Sequence, residues 1–189
     1  MPHTKKSGLR ASLLRGFYAS VLALQGTPLY RRAAAFLHPS YAIAVATSED
    51  ILAVHQWLSP SGAYGDQPVA RTNGVDYVAK HSSRVIGFVQ YVHWDENIGP
   101  HAGDWLFSLF VRLSWRGVGV GEALCRRLLN DARAQGISDI RLIVDADNVP
   151  AVRLYHKLGF ERQHLPALDA LLAEKSTAGR VEIIMGRRL

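Results

Sequence analysis

With Cys125 as its one cysteine, the chain cannot close an internal disulfide, and the expected setting is a reducing compartment such as the cytoplasm. Cys125 has no CxxC partner, so a small buried apolar role fits it better than a reactive one. No apolar run approaches the roughly eighteen residues of a membrane span, because Arg, Ser, Gly or Asp interrupts each one. Also missing are G-x-x-x-x-G-K-[ST] and G-x-S-x-G, and no His, Cys or Asp cluster has metal-ligand spacing. Those absences argue against a triphosphate P-loop, a hydrolase nucleophile and a metal centre. Acids are missing too, from everything before Glu49. Lys5, Lys6, Arg10, Arg15, Arg31 and Arg32 therefore stand uncompensated, while the other 16 basic and 16 acidic residues cancel, so the net charge of +6 belongs to the N-terminal segment.

What is present suits one soluble domain behind an extension. At 189 residues, with 48% apolar and 20% charged side chains, the chain can bury a substantial core. The basic block, residues 1–40, also carries a helical stripe of Leu9, Leu13, Leu14, Phe17, Tyr18, Val21, Leu22 and Leu24. Three readings of it stay open. It is an extra helix, packed on the domain or pairing two subunits as a homodimer; an organelle transit peptide, which would make the protein organellar; or a helix in weak association with an anionic membrane. Nucleic acid is not an expected partner, since no binding motif accompanies the charge.

Residues 41–189 read as the folded domain. Tyr41 to Thr47 is an expected strand, followed by a helix from Thr47 or Ser48 to about Leu58 with Glu49 and Asp50 in its first turn. Ser59 to Gly74 is rich in Pro and Gly and reads as a loop. Asp76 to Lys80 and Val85 to Trp94 form a hairpin around His81 to Arg84, and Asp95 to Gly103 is a loop. Trp105 to Val111 is almost continuously apolar, the pattern of a strand buried on both faces. Ile140 to Val144 repeats that pattern and should lie parallel to it, because a helix separates the two. A short strand to about His164, a helix from Pro166 to Glu174 and a strand from Val181 to Met185 complete the expectation.

Between the two apolar strands lies Arg116-Gly117-Val118-Gly119-Val120-Gly121, leading into a helical pattern from Glu122 to near Gly136. Alternating glycines let the backbone turn and present successive N–H groups, and the following helix adds the positive end of its dipole. The turn is suited to an anion, a phosphate or pyrophosphate above all. Thirty residues later, Asn148 can cap a short amphipathic helix whose Ala151, Leu154, Tyr155 and Leu158 share a face, with Gly159 at its left-handed end and Phe160 beyond.

These two stretches, Arg-x-x-Gly-x-Gly and Asn-x-x-Ala-x-x-x-Tyr-x-Lys-x-Gly-Phe, resemble in order and spacing the two signatures of the GNAT superfamily of acyl-CoA-dependent N-acyltransferases. The resemblance covers about Tyr41 to Met185; Leu113 departs from a proline common in the family. It implies an α/β fold with a mixed, centrally parallel, twisted sheet flanked by helices. The implied activity is transfer of an acetyl group from acetyl-CoA to a primary amine, on a small molecule or a peptide, by direct attack in a ternary complex without a metal. The alternative is a catalytically silent CoA-binding or interaction module docking through its basic helix. By resemblance, Phe110 and Val111 offer main-chain groups to the pantetheine or thioester. Arg116, Gly117, Val118, Gly119, Val120 and Gly121 hold the pyrophosphate, and Asn148 and Ala151 flank the cofactor. Tyr155 protonates the leaving thiolate. The base that frees the amine is not marked by any motif, and Asp104 and His93 are the nearest candidates, with Asp95, Glu96 and His101 close by.

Overall fold

The computed structural model describes residues 40–58, 73–175 and 181–189. The extension 1–39 and most of the expected loop, 59–72, lie outside the described residues. The strands are β1 (Ala42–Val45), β2 (Gly74–His81), β3 (Arg84–Trp94), β4 (Gly103–Val111), β5 (Asp139–Asp145), β6 (Glu161–Gln163) and β7 (Glu182–Arg188). The helices are α1 (Ser48–Leu58), α2 (Val120–Ala134), α3 (Val149–Lys157) and α4 (Pro166–Lys175), with short 3-10 turns at Glu96–His101 and Leu113–Trp115. Sheet order is β1-β2-β3-β4-β5-β7-β6. The β4–β5 pair at its centre is parallel and the flanking pairs antiparallel, so the sheet is mixed as expected.

Two layers of helix close the sheet. On one face, Leu124, Cys125, Leu128, Leu129 and Ala132 of α2 and Tyr155 and Leu158 of α3 pack on Tyr77, Ile86, Val89, Leu106, Ile140, Leu142 and Val144. The alternation along β5, with Ile140, Leu142 and Val144 buried, directs every second residue into this layer. On the other face, Val54 and Leu58 of α1 cover Val78, Val85 and Phe88, and Leu168 of α4 covers Trp105 and Ile184. Cys125 is fully buried among apolar neighbours, which pushes its thiol up to about 12, with Glu122 adding to the rise. That is the inert role its position predicts.

Two expectations are corrected. The helix after the glycines begins at Val120 and not Glu122, because Gly119 takes a left-handed conformation (φ 94°) that ends the turn and lets Val120 enter the core. The strand Trp105–Val111 is not buried on both faces throughout. Trp105 and Leu106 are buried, but Phe107 to Val111 are only half-buried, since β5 pairs with β4 at a single position, Trp105 opposite Arg141, and then diverges. The loop Asp95–Gly103 also contains the 3-10 segment, broken at Gly99.

Candidate active site

Beyond the Trp105–Arg141 pair the two parallel strands part, and β4 forms one lip of the resulting fork. On its other edge β4 stays zipped to β3, with one irregularity: Gln90 faces Phe107 while Phe88 faces Phe110, so Ser108 and Leu109 together oppose Val89. Ser108 adopts φ 55°, a left-handed conformation unusual for a residue other than glycine. This bulge resets which groups of β4 face the gap. Arg112 donates its N–H to the Ile86 carbonyl at 2.9 Å, and successive N–H groups of a strand point to opposite edges, so Val111 directs its own N–H away from β3 and into the fork. The Val111 carbonyl, on the same side, accepts from Arg116 Nε at 3.0 Å. Arg116 thus stands at the fork mouth, anchored by one of its five N–H donors.

The glycine loop follows directly. Gly117 and Gly119 both have positive φ, 77° and 94°, where a side chain would be strained. Gly121 lies within α2, and a Cβ there would meet only ordinary contacts, 3.5 Å from Leu154 and 3.6 Å from Val111. Val118 packs on the core and Val120 is buried, so these two valines orient the loop. The depth of the first turn of α2 is set by Gly87 of β3: a Cβ at that position would lie 3.0 Å from both Val120 and Leu124. A lone glycine inside a strand pattern is the sequence signal for such a close approach.

Helix α3 approaches the open half of β4, where its Leu154 meets Leu109 and Val111 around Gly121, and so borders the fork as its floor. Asn148 caps it, its side chain accepting from the Ala151 N–H at 3.4 Å, and Gly159 (φ 81°) ends it. Lys157 of α3 and Arg126 of α2 both hold Glu122, which ties the two helices together and draws the Glu122 carboxyl below its usual range, the Lys157 hydrogen bond acting most. Tyr155 is 6% exposed, with its ring edge-on to Phe160 at 5.8 Å, and belongs to the cluster against which Leu109, Val111 and Leu154 pack. Burial, with a smaller contribution from Cys125, raises its hydroxyl pKa well above the ordinary value, so it stays protonated at neutral pH. His156 is exposed, since consecutive helical residues point in different directions.

Asp104 and His93, expected separately, come together. They face each other across the β3–β4 ladder, with His93 Nδ1 2.8 Å from Asp104 Oδ1, and Tyr91 donates its hydroxyl to the same oxygen at 2.6 Å. Asp95 lies 3.8 Å from His93 Nε2. Burial and this hydrogen bond raise the Tyr91 pKa. The network sits at the start of β4, on the closed side of the fork, whereas Val111, Arg116 and the glycine loop sit at its open end. Phe110 turns its side chain into the α1 layer. A cleft lined by Asp145, Asp147, Asn148 and Val181 lies where β5 ends. Among the described residues no group of three or more His, Cys, Asp or Glu side chains could hold a metal ion, and no helix is long and apolar enough to cross a membrane.

Comparison with known proteins follows the same outline. The model of the acetyltransferase (GNAT) family matches residues 39–160. The mycothiol acetyltransferase of Corynebacterium glutamicum strain R is 28% identical over 155 residues, 73% of this chain and 51% of that protein. That of Thermobifida fusca is 34% identical over 124 residues, 61% of this chain and 34% of that protein. The chain thus spans about half the length, or less, of these curated relatives. Among solved structures, an acetyltransferase of the GNAT family from Streptococcus pneumoniae superposes with TM-score 0.59 at 19% identity, covering 79% of this chain and 100% of the other. Arabidopsis thaliana NAA60 in complex with acetyl-CoA gives TM-score 0.58 at 18% identity, covering 79% and 99%.

Proposed function

The chain belongs to the acetyltransferase (GNAT) family, and from that premise we propose that it transfers an acetyl group from acetyl-CoA to a primary amine by direct attack in a ternary complex. The observation that carries this reading is the fork: a parallel pair that parts, with a main-chain N–H of Val111 turned into the gap, and Val111 and Leu109 packed on the cluster that holds the buried Tyr155. Acetyl-CoA is the cosubstrate, and the chain's groups suit it. The N–H groups of Gly117 to Gly121 and the first turn of α2 take the pyrophosphate, with Arg116 adding charge. Phe110 and Val111 supply main-chain groups along the pantetheine, and Asn148 and Ala151 border it from the start of α3.

In the reaction the neutral amine forms a C–N bond to the thioester carbon, and the carbonyl oxygen becomes an oxyanion that the Val111 N–H stabilises. The C–S bond then breaks. Tyr155 gives its proton to the departing thiolate, and the proton lost from nitrogen restores the system. The amine reaches this state by losing a first proton, for which Asp104 and His93 are the proposed sink. His93 is 46% exposed at its side chain, so a proton passed through water can leave to solvent by that route. Because the network lies on the closed side of the fork, its contribution is indirect and should be smaller than that of Tyr155.

The name of the relatives makes mycothiol-class acceptors the first to try, with peptide N-termini, lysine and polyamines as the wider panel. Release of free thiol from acetyl-CoA against that panel tests the reading. Turnover with one amine and none without amine is the expected result; CoA binding without turnover on any amine would favour a silent CoA-binding module instead. Residues 1–40 are proposed as an extension separable from this chemistry, so a chain beginning near Pro39 should still bind CoA.

A further inference from the structure

The mouth of the glycine loop has a neighbour from the far edge of the sheet. Tyr41 precedes β1, and its hydroxyl oxygen lies 3.8 Å from where a Cβ on Gly119 would project, closer than any other group outside the loop. The ring is fixed there: it stands edge-on to Trp115 at 6.3 Å and 86°, and Trp115 in turn stacks on His81 at 5.3 Å. His81 is tethered through Nδ1 to the Ser40 carbonyl at 3.0 Å, the residue just before Tyr41. The arrangement holds a phenol with its polar end at the start of α2, although Tyr41 is nearly eighty residues from Gly119 in sequence and outside both motifs.

Resting on the cofactor reading above, we propose that Tyr41 completes the pyrophosphate cradle, donating its hydroxyl to a phosphate oxygen held by the glycine loop. A cradle made only of main-chain N–H groups and Arg116, which is anchored on the Val111 carbonyl, leaves the side facing β1 without a donor. A hydroxyl held by ring packing supplies one at little entropic cost, because the ring has already lost its freedom in the folded protein. The donor survives at working pH, since burial first and Glu122 second raise the Tyr41 pKa above its ordinary value. The ligand class is therefore a diphosphate ester approaching from the loop side, and Tyr41 acts on its affinity and not on the bond-making step.

Tyr41→Phe keeps the ring and its packing on Trp115 while removing the donor. Calorimetric titration with CoA should show affinity about tenfold weaker than wild type, the usual cost of one hydrogen bond to a charged group. The unliganded melting temperature should stay within a degree or so. The decisive control is S-acetyl-pantetheine, a donor without the diphosphate. The ratio of variant to wild-type KM should fall from about ten with acetyl-CoA to near one with it. Unchanged CoA affinity in Tyr41→Phe, or the same loss with both donors, would overturn the proposal, the second by showing that Tyr41 acts through packing. The cofactor reading has its own failure signal: wild-type protein that shows no CoA binding at all, which would remove this proposal with it.

Discussion

The two halves of β4 belong to one strand, yet only one of them leaves an edge open toward β5. From Gly103 to Leu106 the strand is paired with β3 and, at Trp105, with β5 as well; Trp105 and Leu106 are buried, and the polar groups Asp104, His93 and Tyr91 satisfy one another. From Phe107 to Val111 one edge is unzipped, the side chains are half-buried, and a bulge at Ser108 re-aims the main chain. The difference teaches that an opening in a sheet comes from the failure of a strand's pairing and not from its polar side chains, and the proposed acetyl transfer rests on that opening. Stability should reside in the closed half and acetyl transfer in the open half.

The largest test of that division is a pair of truncations. Trp105→Ala should cost about 3–5 kcal/mol, since the ring is 1% exposed and its Nε1 donates to the His101 carbonyl at 2.7 Å. Phe107→Ala, two residues on and half-buried, should cost about 1 kcal/mol. Chemical denaturation of both variants reads this directly, and equal losses would erase the distinction between the halves. Next in size is Gly119→Val. A β-branched side chain at φ 94° is strained, so the loop should refold around it and lose its cradle. CoA at about a hundred times its Kd should stabilise the wild type by about 2.7 kcal/mol and this variant by nearly nothing. A variant with the full CoA shift would show that the loop's geometry is not what holds the cofactor.

Tyr155→Phe comes third and probes the open half from below. The ring and its contact with Phe160 persist, so stability and CoA affinity should stay near wild type while turnover falls by about a hundredfold. A rate unchanged with the true acceptor would reduce Tyr155 to packing and leave water as the proton source.

How much of this was legible in the sequence follows the same division. The glycine loop and α3 could be read because each is local: left-handed glycines, an asparagine cap and an i, i+3, i+4, i+7 stripe act within a few residues of themselves. The strand order around the parallel pair could be inferred from the helix between them. The apolar pattern alone does not show the fork, because Trp105 to Val111 reads the same whether or not its neighbour stays paired; only the family resemblance implies it. Nor does Ser108 announce a left-handed bulge, which is imposed by register with β3. Asp104 and His93 each stand out in the sequence, but that they face each other depends on the β3–β4 register, a tertiary fact. Tyr41 was read only as the start of a strand, since nothing local connects it to Gly119.

The smallest prediction concerns what lies beneath the open half. Glu122 joins α2 to α3 through Lys157 and pairs with Arg126 within α2, and its side chain is 24% exposed, so the clamp should contribute at most about 1 kcal/mol. The sign of its pH dependence follows from the direction of its shift. The folded-state pKa of Glu122 is depressed, chiefly by the Lys157 hydrogen bond, so the clamp's contribution is fully present above the unfolded carboxylate value of about 4.3 and is lost as pH falls through the lower folded value. Glu122→Gln cannot titrate. The difference in melting temperature between wild type and this variant should therefore be full at neutral pH and close progressively in the acid range below the ordinary carboxylate value. A gap that persists in acid would mean that Glu122 contributes through packing or a neutral hydrogen bond. If the gap closes while turnover at neutral pH stays within a few-fold of wild type, the floor of the fork is held by the apolar contacts of Leu154 and Tyr155, and the charged clamp only trims its stability.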